Sequence, residues 1–326
     1  MASAEQIKAL LKSHVDGDDP RFFAVAMQVA AHEAKMGHGK LAQELRALID
    51  EAKAHQKSAQ FSKPIPITRP KGDLSALLSV SYPKIRLSDM ILNKNISSRL
   101  IRIIREQRQL SKLQAHGLTP RRKLLLIGPP GTGKTMSASA LAGEFSLPLF
   151  VIRLDGLITK FMGETAAKLR LVFDAISETR GVYLFDEFDS IGSQRGMIND
   201  VGEIRRVLNS FLQFIEQDES DSLILAATNH PELLDYALFR RFDDVIQYSL
   251  PDHKQIAETI KSRLVSYVHR KINWVKLSEA AAGLNYAEIT RACEEAVKHM
   301  IINDLDNLAI DDIMKALSER KTIMEK

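Results

Sequence analysis

Cysteine is almost absent from this chain of 326 residues, in which Cys293 is the only one. A single thiol cannot form a disulfide within the chain, and it excludes a zinc site built from several cysteines. Long apolar runs are also missing, since none approaches the roughly 18 residues that suggest a membrane span. Residues 1–5 lack a basic region followed by an apolar one. We therefore expect no signal peptide, no membrane partner and a cytoplasmic location.

An excess of either charge is missing as well. The 45 basic and 41 acidic side chains leave a net charge of +4, which does not by itself indicate a nucleic-acid partner. Apolar residues make up 45% of the chain, which is enough for a substantial core. The length favours two domains, or one large domain with an appendage.

Residues 128–135 read GPPGTGKT and match the phosphate-binding pattern G-x-x-x-x-G-K-[ST] in full. Glycine carries no Cβ, so the backbone wraps closely around a polyphosphate and its N–H groups form an anion nest. In such a loop Lys134 reaches the β- and γ-phosphates, and the Thr135 hydroxyl ligates Mg²⁺. The motif therefore predicts that the chain binds ATP and Mg²⁺. The predicted nucleotide-binding residues are Gly128, Pro129, Pro130, Gly131, Thr132, Gly133, Lys134, Thr135 and Met136.

The segments on both sides of this loop support the prediction. Lys123–Ile127 is a short apolar run typical of a buried parallel strand, and the Ala- and Leu-rich stretch 136–145 favours a helix. An ordinary Gly/Pro turn, the alternative, would not require strand, loop, Lys-Thr pair and helix to coincide. Because apolar strands alternate with helical stretches, we predict an α/β fold with a doubly wound, five-stranded parallel sheet. The other four predicted strands are 149–154, 182–185, 223–227 and 245–248.

Polar residues follow two of these strands. Asp186 is expected to hold Mg²⁺, and Glu187 is expected to orient and polarise the water that attacks the γ-phosphate. Acidic residues also begin helices, but the phosphate-binding loop about fifty residues earlier argues against that alternative. Asn229 follows the strand at 223–227, and its amide can donate to the phosphate or to the attacking water. The alternative for Asn229 is a simple turn before Pro231.

The regions outside the predicted sheet divide the chain further. Residues 1–55 are predicted to form a small helical bundle that recruits a substrate or partner, since so small a bundle has a thin core. Residues 56–86, rich in proline, are predicted to be a linker. Residues 87–250 are assigned to the α/β subdomain and residues 251–326 to a small helical lid. The apolar stripe of the last helix in the bundle is Leu41, Leu45, Leu48 and Ala52.

The ordered motifs GPPGTGKT, LFDEFD and AATN, followed by ALFRRFD at residues 237–243, resemble those of an AAA+ ATPase of the AAA clade. The resemblance covers about residues 88–320. It implies a P-loop NTPase fold with the nucleotide site between a large α/β subdomain and a small helical lid. It also implies a stand-alone, single-ring homo-oligomer, usually a hexamer, and an adenine pocket near residues 87–91.

In that family an arginine just before Phe-Asp reaches into the site of the next subunit. A guanidinium there neutralises charge that builds on the γ-phosphate. Here Arg240 and Arg241 are adjacent, whereas the family spaces its two arginines by two residues. The position before Phe242 favours Arg241, and Arg240 remains an alternative. An ion pair with a nearby carboxylate, such as Asp243 or Asp244, is the structural alternative for both.

Many AAA+ proteins also carry an arginine in the lid that contacts the nucleotide. The matching position in this chain is Ala287. The AAA clade is similar in lacking that arginine, which supports the narrower assignment. Arg291, one helical turn further on, is the alternative lid cation.

Residues 160–163 resemble the pore loop of AAA unfoldases, in which an aromatic and an apolar residue precede glycine. An exposed Phe-Met pair is costly to hydrate, so it should either be buried or contact a substrate. In a ring, Phe161 of each subunit would face the axis and grip an extended polypeptide, while Gly163 lets the loop move. The alternative is that Phe161 and Met162 are core residues. The predicted substrate-contacting residues are Lys160, Phe161, Met162 and Gly163.

These features predict an enzyme that hydrolyses ATP and couples this to remodelling, unfolding or translocation of a protein substrate. A separate protease or an adaptor could be its partner. Proteolysis on this chain itself is not expected, because the sequence HEAKM at 32–36 has Met where a zinc protease needs its second His. The predicted catalytic residues are Glu187, Lys134, Asn229, Arg241 and Arg240.

Two other functions remain open from the sequence. An ATP-dependent machine acting on nucleic acid is favoured only by a stripe of arginines at every third position of a predicted helix. Without interleaved aromatic residues, such a stripe is more often a solvated face or a subunit contact. A slow nucleotide switch that scaffolds a partner is the other alternative. The stripe consists of Arg99, Arg102, Arg105 and Arg108.

Overall fold

The computed structural model describes residues 8, 19–59, 72, 74–154, 162–189, 201–234, 236–267, 272–305 and 307–324. Contacts divide the chain into two units, Met1–Pro66 and Ile67–Lys326. Across the ranges just given, no helix combines the length and the apolarity needed to cross a membrane.

The described part of the first unit is a pair of helices, α1 at Asp19–Lys35 and α2 at Gly39–Ala59. The turn between them contains Gly37 at φ +87°, a left-handed conformation that suits glycine. Of the part of the predicted bundle that precedes α1, only Lys8 is among the described residues, and it is helical. The buried apolar side chains of these two helices include Val29, Ala30, Ala42 and Ile49.

The apolar face of α2 differs from the predicted stripe. Leu41 and Leu48 are 46% and 62% exposed, whereas Ala42 and Ile49 are buried. The buried face is therefore displaced by one residue along the helix. Apolar residues also occur one position after two of the leucines, at Ala42 and Ile49, so the spacing of the leucines alone does not identify the buried side of the helix.

The second unit contains the predicted sheet and the C-terminal helices. The strands are β1 Leu78–Ser81, β2 Lys123–Ile127, β3 Leu149–Ile152, β4 Val182–Phe185, β5 Leu223–Thr228 and β6 Asp244–Gln247. The helices of the α/β part are α3 Leu74–Leu77, α4 Lys94–Arg108, α5 Leu110–Ala115, α6 Lys134–Phe145, α7 Met162–Glu178, α8 Val201–Gln217 and α9 Tyr236–Phe239. The C-terminal helices are α10 His253–Leu264, α11 Trp274–Ala280, α12 Tyr286–Ile302 and α13 Ile310–Met324.

The sheet has the strand order β1-β3-β4-β5-β2-β6. Strands β2 to β6 pair in parallel, which confirms the predicted α/β fold and its five strands. Strand β1 is an additional edge strand, antiparallel to β3, and the linker prediction for residues 56–86 missed it. Four residues are too few to identify a strand by periodicity, and only pairing with the distant β3 makes this segment extended.

Three neighbouring strands bring the sequence motifs together. The order β4-β5-β2 is parallel, so the residues that follow these strands meet at one edge of the sheet. The loop 128–133 follows β2, Asp186 and Glu187 follow β4, and Asn229 follows β5. The topology therefore produces the site that the separate motifs predict.

Phenylalanine side chains fill the layer that supports the Asp186–Glu187 turn. The ring of Phe185, at the end of β4, lies 5.1 Å from the ring of Phe211 on α8 and 6.0 Å from that of Phe173 on α7. Phe188, which follows the two acids, is fully buried with its ring 4.7 Å from that of Phe211. Aromatic pairs of this kind contribute about 0.5–1.5 kcal/mol each beyond their buried area. The turn is thus anchored by a buried ring on each side.

The C-terminal helices α10 to α13 surround a second core, which confirms that this part of the chain is helical. Its fully buried members include Ile260, Ile289 and Leu317. Cys293 of α12 is buried there too, and burial raises the pKa of its thiol to about 12. The carboxamide of Asn285 caps α12, where its Oδ1 accepts the backbone N–H of Glu288 at 2.8 Å.

Candidate active site

The phosphate-binding loop lies between β2 and α6, as predicted. Two of its glycines are required by close neighbours as well as by their backbone angles. Gly128 has φ +144°, and a Cβ there would collide with the carbonyl oxygen of Tyr248. Gly131 has φ +72°, and a Cβ there would lie 2.5–2.7 Å from side-chain atoms of Asn285. The loop therefore fits between β6 and the lid only with glycine at these positions.

Lys134 is buried within this loop, with 7% of its surface exposed. Its Nζ donates hydrogen bonds to the carbonyl oxygens of Gly128 and Pro129, at 2.7 and 2.8 Å, and to Oδ1 of Asn229 at 2.7 Å. Burial lowers the pKa of the ammonium group, an effect that the carboxylates of Asp186 and Asp189 oppose. The three acceptors hold the ammonium group between the loop carbonyls and the side-chain amide of Asn229.

Thr135 and Asp186, the two residues that the sequence predicts to hold magnesium, lie next to each other. The Thr135 hydroxyl donates to Oδ2 of Asp186 at 2.8 Å, so the two oxygens lie side by side at the start of α6. Hydroxyl and carboxylate oxygens are the ligands that Mg²⁺ prefers, and the ion keeps several of its waters. The residues present therefore fit the ion.

Glu187 has an unusual backbone conformation for a residue other than glycine. Its φ is +50°, in the left-handed region that costs a non-glycine residue about 1 kcal/mol or more. Its N–H donates to Oδ1 of Asp186 at 3.0 Å, and the next N–H, of Phe188, donates to the carbonyl of Ala227 at 2.8 Å. Bonds on both sides thus enforce the strained turn, and Glu187 is exposed at the cavity wall.

Asp189 is a site residue that the sequence-based prediction missed. Its Oδ1 accepts the Thr228 hydroxyl at 2.8 Å and the backbone N–H of Asn229 at 3.2 Å. It therefore fixes the end of β5, which carries the amide bound to Lys134. The sequence motif LFDEFD contains this residue, because Asp189 is the last acid of the motif.

The lid contacts the phosphate-binding loop directly. The backbone N–H of Ala287 donates to the carbonyl of Gly131 at 3.3 Å, and Asn285 packs against the same glycine. Ala287, which stands where many AAA+ proteins carry a lid arginine, thus contacts the loop through its backbone. Arg291 lines the cavity, but its guanidinium is paired with Glu288 at 2.9 Å.

These elements enclose a cavity of about 910 Å³. Residues 130–136, Asp186, Glu187 and Asn229 line one part of it, so most of the predicted nucleotide-binding residues are brought together. Gly128 and Pro129 do not line it, and their carbonyls instead hold Lys134. The predicted adenine segment contributes Asp89, Met90 and Ile91 to another wall.

The two predicted trans-acting arginines lie elsewhere. Neither Arg240 nor Arg241 is among the described residues that line the cavity. Arg241 pairs through Nη1 with Oε1 of Glu216, at the end of α8, at 2.5 Å. The carboxylates proposed as alternative partners are used differently: Asp243 accepts the backbone N–H groups of Arg122 and Lys123, and Asp244 pairs with Arg99.

The predicted pore loop falls largely outside the described residues. Lys160 and Phe161 are not described. Met162 and Gly163 begin helix α7. The role of these four residues stays a prediction.

Comparison with known proteins identifies what the chain resembles. The model for the "ATPase family associated with various cellular activities (AAA)" matches residues 124–250. An "Uncharacterized AAA family ATPase y4kL" of Sinorhizobium fredii is 34% identical over 321 residues, which cover 98% of this chain and 96% of that protein.

Two further relatives share part of their length. The "ATP-dependent zinc metalloprotease FtsH" of Helicobacter felis is 33% identical over 69% of this chain, which spans 37% of that protein. The "Proteasome-activating nucleotidase" of Saccharolobus solfataricus is 34% identical over 62% of this chain, which spans 54% of that protein. The matched segments thus cover about a third to a half of these longer relatives.

Proposed function

The chain belongs to the AAA family of ATPases, and from this premise we propose that it forms a hexameric ring that remodels, unfolds or translocates protein substrates through a central pore. As a family member it hydrolyses ATP to ADP and phosphate. The observation that carries the proposed mechanism is the meeting of the loop lysine, the two acids and the strand-end amide at one edge of the sheet.

Each of these residues has a role that its contacts support. Lys134 exchanges its present acceptors for the β- and γ-phosphate oxygens, and Asn229 then has its amide beside the terminal phosphate. Glu187, exposed at the cavity wall, accepts a proton from the water that attacks the γ-phosphate. Its strained backbone directs the side chain away from the buried rings on either side.

Thr135 and Asp186 would hold Mg²⁺ beside the loop. The ion, when bound, neutralises charge on the β- and γ-phosphate oxygens. The hydrogen bond between the two side chains keeps both oxygens at the start of α6 before the ion binds. Their donor set of hydroxyl and carboxylate supports magnesium over a softer metal.

A neighbouring copy of the chain completes the site in this proposal. Two arginines, Arg263 and Arg291, line the described wall of the cavity, both on the C-terminal helices, and Arg291 is paired with Glu288. Arg241 is on the surface, and its ion pair with Glu216 is accessible to solvent. We assign Arg241 as the residue that reaches the next subunit, with Arg240 as the alternative.

The proposed output of hydrolysis is force on a polypeptide. Residues 160–163 would line the axis of the ring, with Phe161 gripping the substrate. The names of two relatives support a polypeptide substrate, since one activates a proteasome and the other is an ATP-dependent protease. We therefore propose a separate protease or an adaptor as partner, recruited with the substrate by residues 1–55 and connected through residues 56–86.

A nucleic-acid substrate is less well supported. Three arginines of the stripe on α4 are paired with acids of the same chain: Arg99 with Asp244 at 3.0 Å, Arg102 with Glu106 at 3.1 Å, and Arg108 with Glu144 at 2.7 Å. The stripe also has no interleaved aromatic residue on which a base could stack. This favours the solvated-face interpretation of the stripe.

The test is the ATPase rate with an unfolded protein or with DNA added. We expect unfolded protein to raise the rate and DNA to leave it unchanged. Phe161→Ala should keep the basal rate within about threefold and lose the stimulation, because hydrolysis residues are intact while the grip is gone. Stimulation by DNA alone would favour the nucleic-acid alternative, and a slow rate that responds to neither would favour the nucleotide switch.

A further inference from the structure

The phenol of Tyr248 is buried next to the start of α6. Strand β6 ends at Gln247, and the next residue, Tyr248, is only 2% exposed. Its hydroxyl donates to Oγ of Ser137, a fully buried residue of α6, at 2.7 Å. The Ser137 hydroxyl in turn donates to the carbonyl of Gly133 at 3.0 Å. A buried relay of two hydroxyls therefore connects the tyrosine with the last glycine of the phosphate-binding loop.

The backbone of Tyr248 contacts the other end of the same loop. Its N–H donates to the carbonyl of Ile127, the last residue of β2, at 2.7 Å. Its carbonyl oxygen lies so close to Gly128, the first residue of the loop, that no Cβ fits there. One residue thus contacts the start of the loop through its main chain and reaches the end of the loop through Ser137.

The buried hydroxyl of Tyr248 is not needed to fill space. Phenylalanine would occupy nearly the same volume, and it would avoid the free-energy cost of removing a hydroxyl from water. Ser137 does not need the phenol either, because a serine inside a helix can satisfy its hydroxyl on the carbonyl four residues earlier. What the phenol adds is a connection between β6 and α6. Burial raises the pKa of Tyr248 to about 12, which the hydrogen bond with Ser137 opposes, so the phenol remains a donor at neutral pH.

The first turn of α6 carries groups that must keep their distance from the loop. This helix begins with Lys134 and Thr135, the residues expected to meet the phosphates and Mg²⁺. The Nζ of Lys134 donates to the carbonyl of Gly128 at 2.7 Å, so the ammonium group depends on the position of the first loop residue. Movement of α6 against β6 would change the spacing between this ammonium, the Thr135 hydroxyl and the N–H groups of the loop. A connection that prevents this movement preorganises the site for a polyphosphate.

From this arrangement we propose that Tyr248 is a positioning residue for phosphate binding, which acts through Ser137 to fix the two ends of the loop relative to each other. The inference rests on the nucleotide site proposed above and adds to it a residue that does not line the cavity. Since the relay acts on the loop, it should affect the polyphosphate part of the nucleotide and not the base.

The experiment uses Tyr248→Phe, Ser137→Ala and the double variant in the full chain, with Tyr183→Phe as a matched control. Tyr183 of β4 is fully buried, and its hydroxyl donates to the carbonyls of Ala175 and Thr179 at 2.9 and 2.8 Å. The control therefore loses a buried phenol hydroxyl that is hydrogen-bonded away from the loop. Ser137→Ala leaves the phenol without its acceptor, whereas the double variant removes both hydroxyls together.

Dissociation constants are measured by calorimetry for ATP and for inorganic tripolyphosphate, each with Mg²⁺, together with the Tm of every variant. We expect Tyr248→Phe to weaken both ligands by the same factor, about 3- to 10-fold. In steady-state hydrolysis KM should rise while kcat stays within about twofold, since the groups that act on the γ-phosphate are intact. Tyr183→Phe should lower the Tm by a similar amount but leave both dissociation constants within about twofold.

The double variant tests whether the tyrosine acts through the serine. If it does, the double variant should bind no more weakly than Ser137→Ala alone, whereas additive losses would overturn the relay. Unchanged affinities in Tyr248→Phe, equal losses in Tyr183→Phe, or a loss for ATP without one for tripolyphosphate would each overturn the positioning role while the nucleotide site stands. If the unmodified chain binds neither ligand, the nucleotide site itself is rejected, and the positioning role with it.

Discussion

The nucleotide pocket and the turn at Arg240–Arg241 both contain cations, but these cations differ in burial and in the number of their hydrogen-bond acceptors. Lys134 is 7% exposed and has three hydrogen-bond acceptors from three different residues. Arg241 has a side chain that is 41% exposed and one surface carboxylate as its partner. A buried cation needs full hydrogen bonding, whereas an exposed ion pair contributes only about 0–1 kcal/mol. Arg241 can therefore exchange Glu216 for an anion on another molecule at little cost.

In the proposed ring, each subunit supplies its own pocket and an arginine to the pocket of its neighbour. The pocket is complete in its loop, acids and amide within a single chain. The turn at Arg240–Arg241 is held in place by the residue two positions after Arg241, because Asp243 accepts two backbone N–H groups at the start of β2. A turn held in this way, with a guanidinium that can leave Glu216, suits an arginine that binds an anion in the site of a second copy of the chain. The following variants test whether the two regions act in one subunit or in two.

Lys134→Ala should have the largest effect. The variant removes the only ammonium in the described wall of the cavity, so we expect ATP affinity to fall about 100-fold or more. Direct binding of a labelled nucleotide measures this. Mixing with Glu187→Gln subunits should not restore hydrolysis, because every pocket in such a ring lacks one of its own groups.

Glu187→Gln should lower the turnover number about 100- to 10,000-fold while nucleotide binding is retained, because only the proton acceptor is lost. Single-turnover hydrolysis and binding are measured side by side. The trapped ATP state should also hold its client protein, which a pull-down in ATP would recover. A normal hydrolysis rate would contradict the assignment of Glu187.

Arg241→Ala should lower hydrolysis at least about tenfold with assembly and nucleotide affinity unchanged. Mixed rings of Arg241→Ala and Glu187→Gln should regain activity, because an intact pocket then lies beside an intact arginine. The Lys134→Ala mixture is the matched control. Equal behaviour of the two mixtures would place Arg241 outside the shared site, and Arg240→Ala is then the variant to compare.

Asp189→Asn should have the smallest effect. The side chain keeps an oxygen for Thr228 but loses its charge, so the end of β5 and the Asn229 amide are held less firmly. We expect a fall of about 3- to 10-fold in turnover, with little change in ATP affinity. If Asp189 acts only through Asn229, the double variant Asp189→Asn with Asn229→Ala should have the same turnover number as Asn229→Ala alone.

The nucleotide half of the site was predictable from the sequence because its requirements are local. Close approach to Tyr248 and Asn285 admits only glycine at positions 128 and 131, and the loop must join a strand to a helix. Such constraints leave a recognisable pattern in eight residues. The parallel strand order then brings Asp186 and Asn229 to the same edge without further information.

The remaining features depend on contacts between residues that are distant in the chain. Strand β1 exists through its pairing with β3, and its four residues carry no clear period. Glu216 lies in the last turn of α8 and has no sequence pattern that links it to Arg241. In both cases the partner is determined by tertiary structure, so the spacing of residues along the sequence does not predict which residues pair.

The buried thiol of Cys293 has a consequence for the response to oxidants. With a pKa of about 12 and no exposure to solvent, it remains an unreactive thiol under conditions that modify thiolates. The thioethers near the nucleotide site are a separate target for oxidants. Met90 and Met136 both line the cavity, and a sulfoxide at either position would introduce a polar group beside the bound nucleotide.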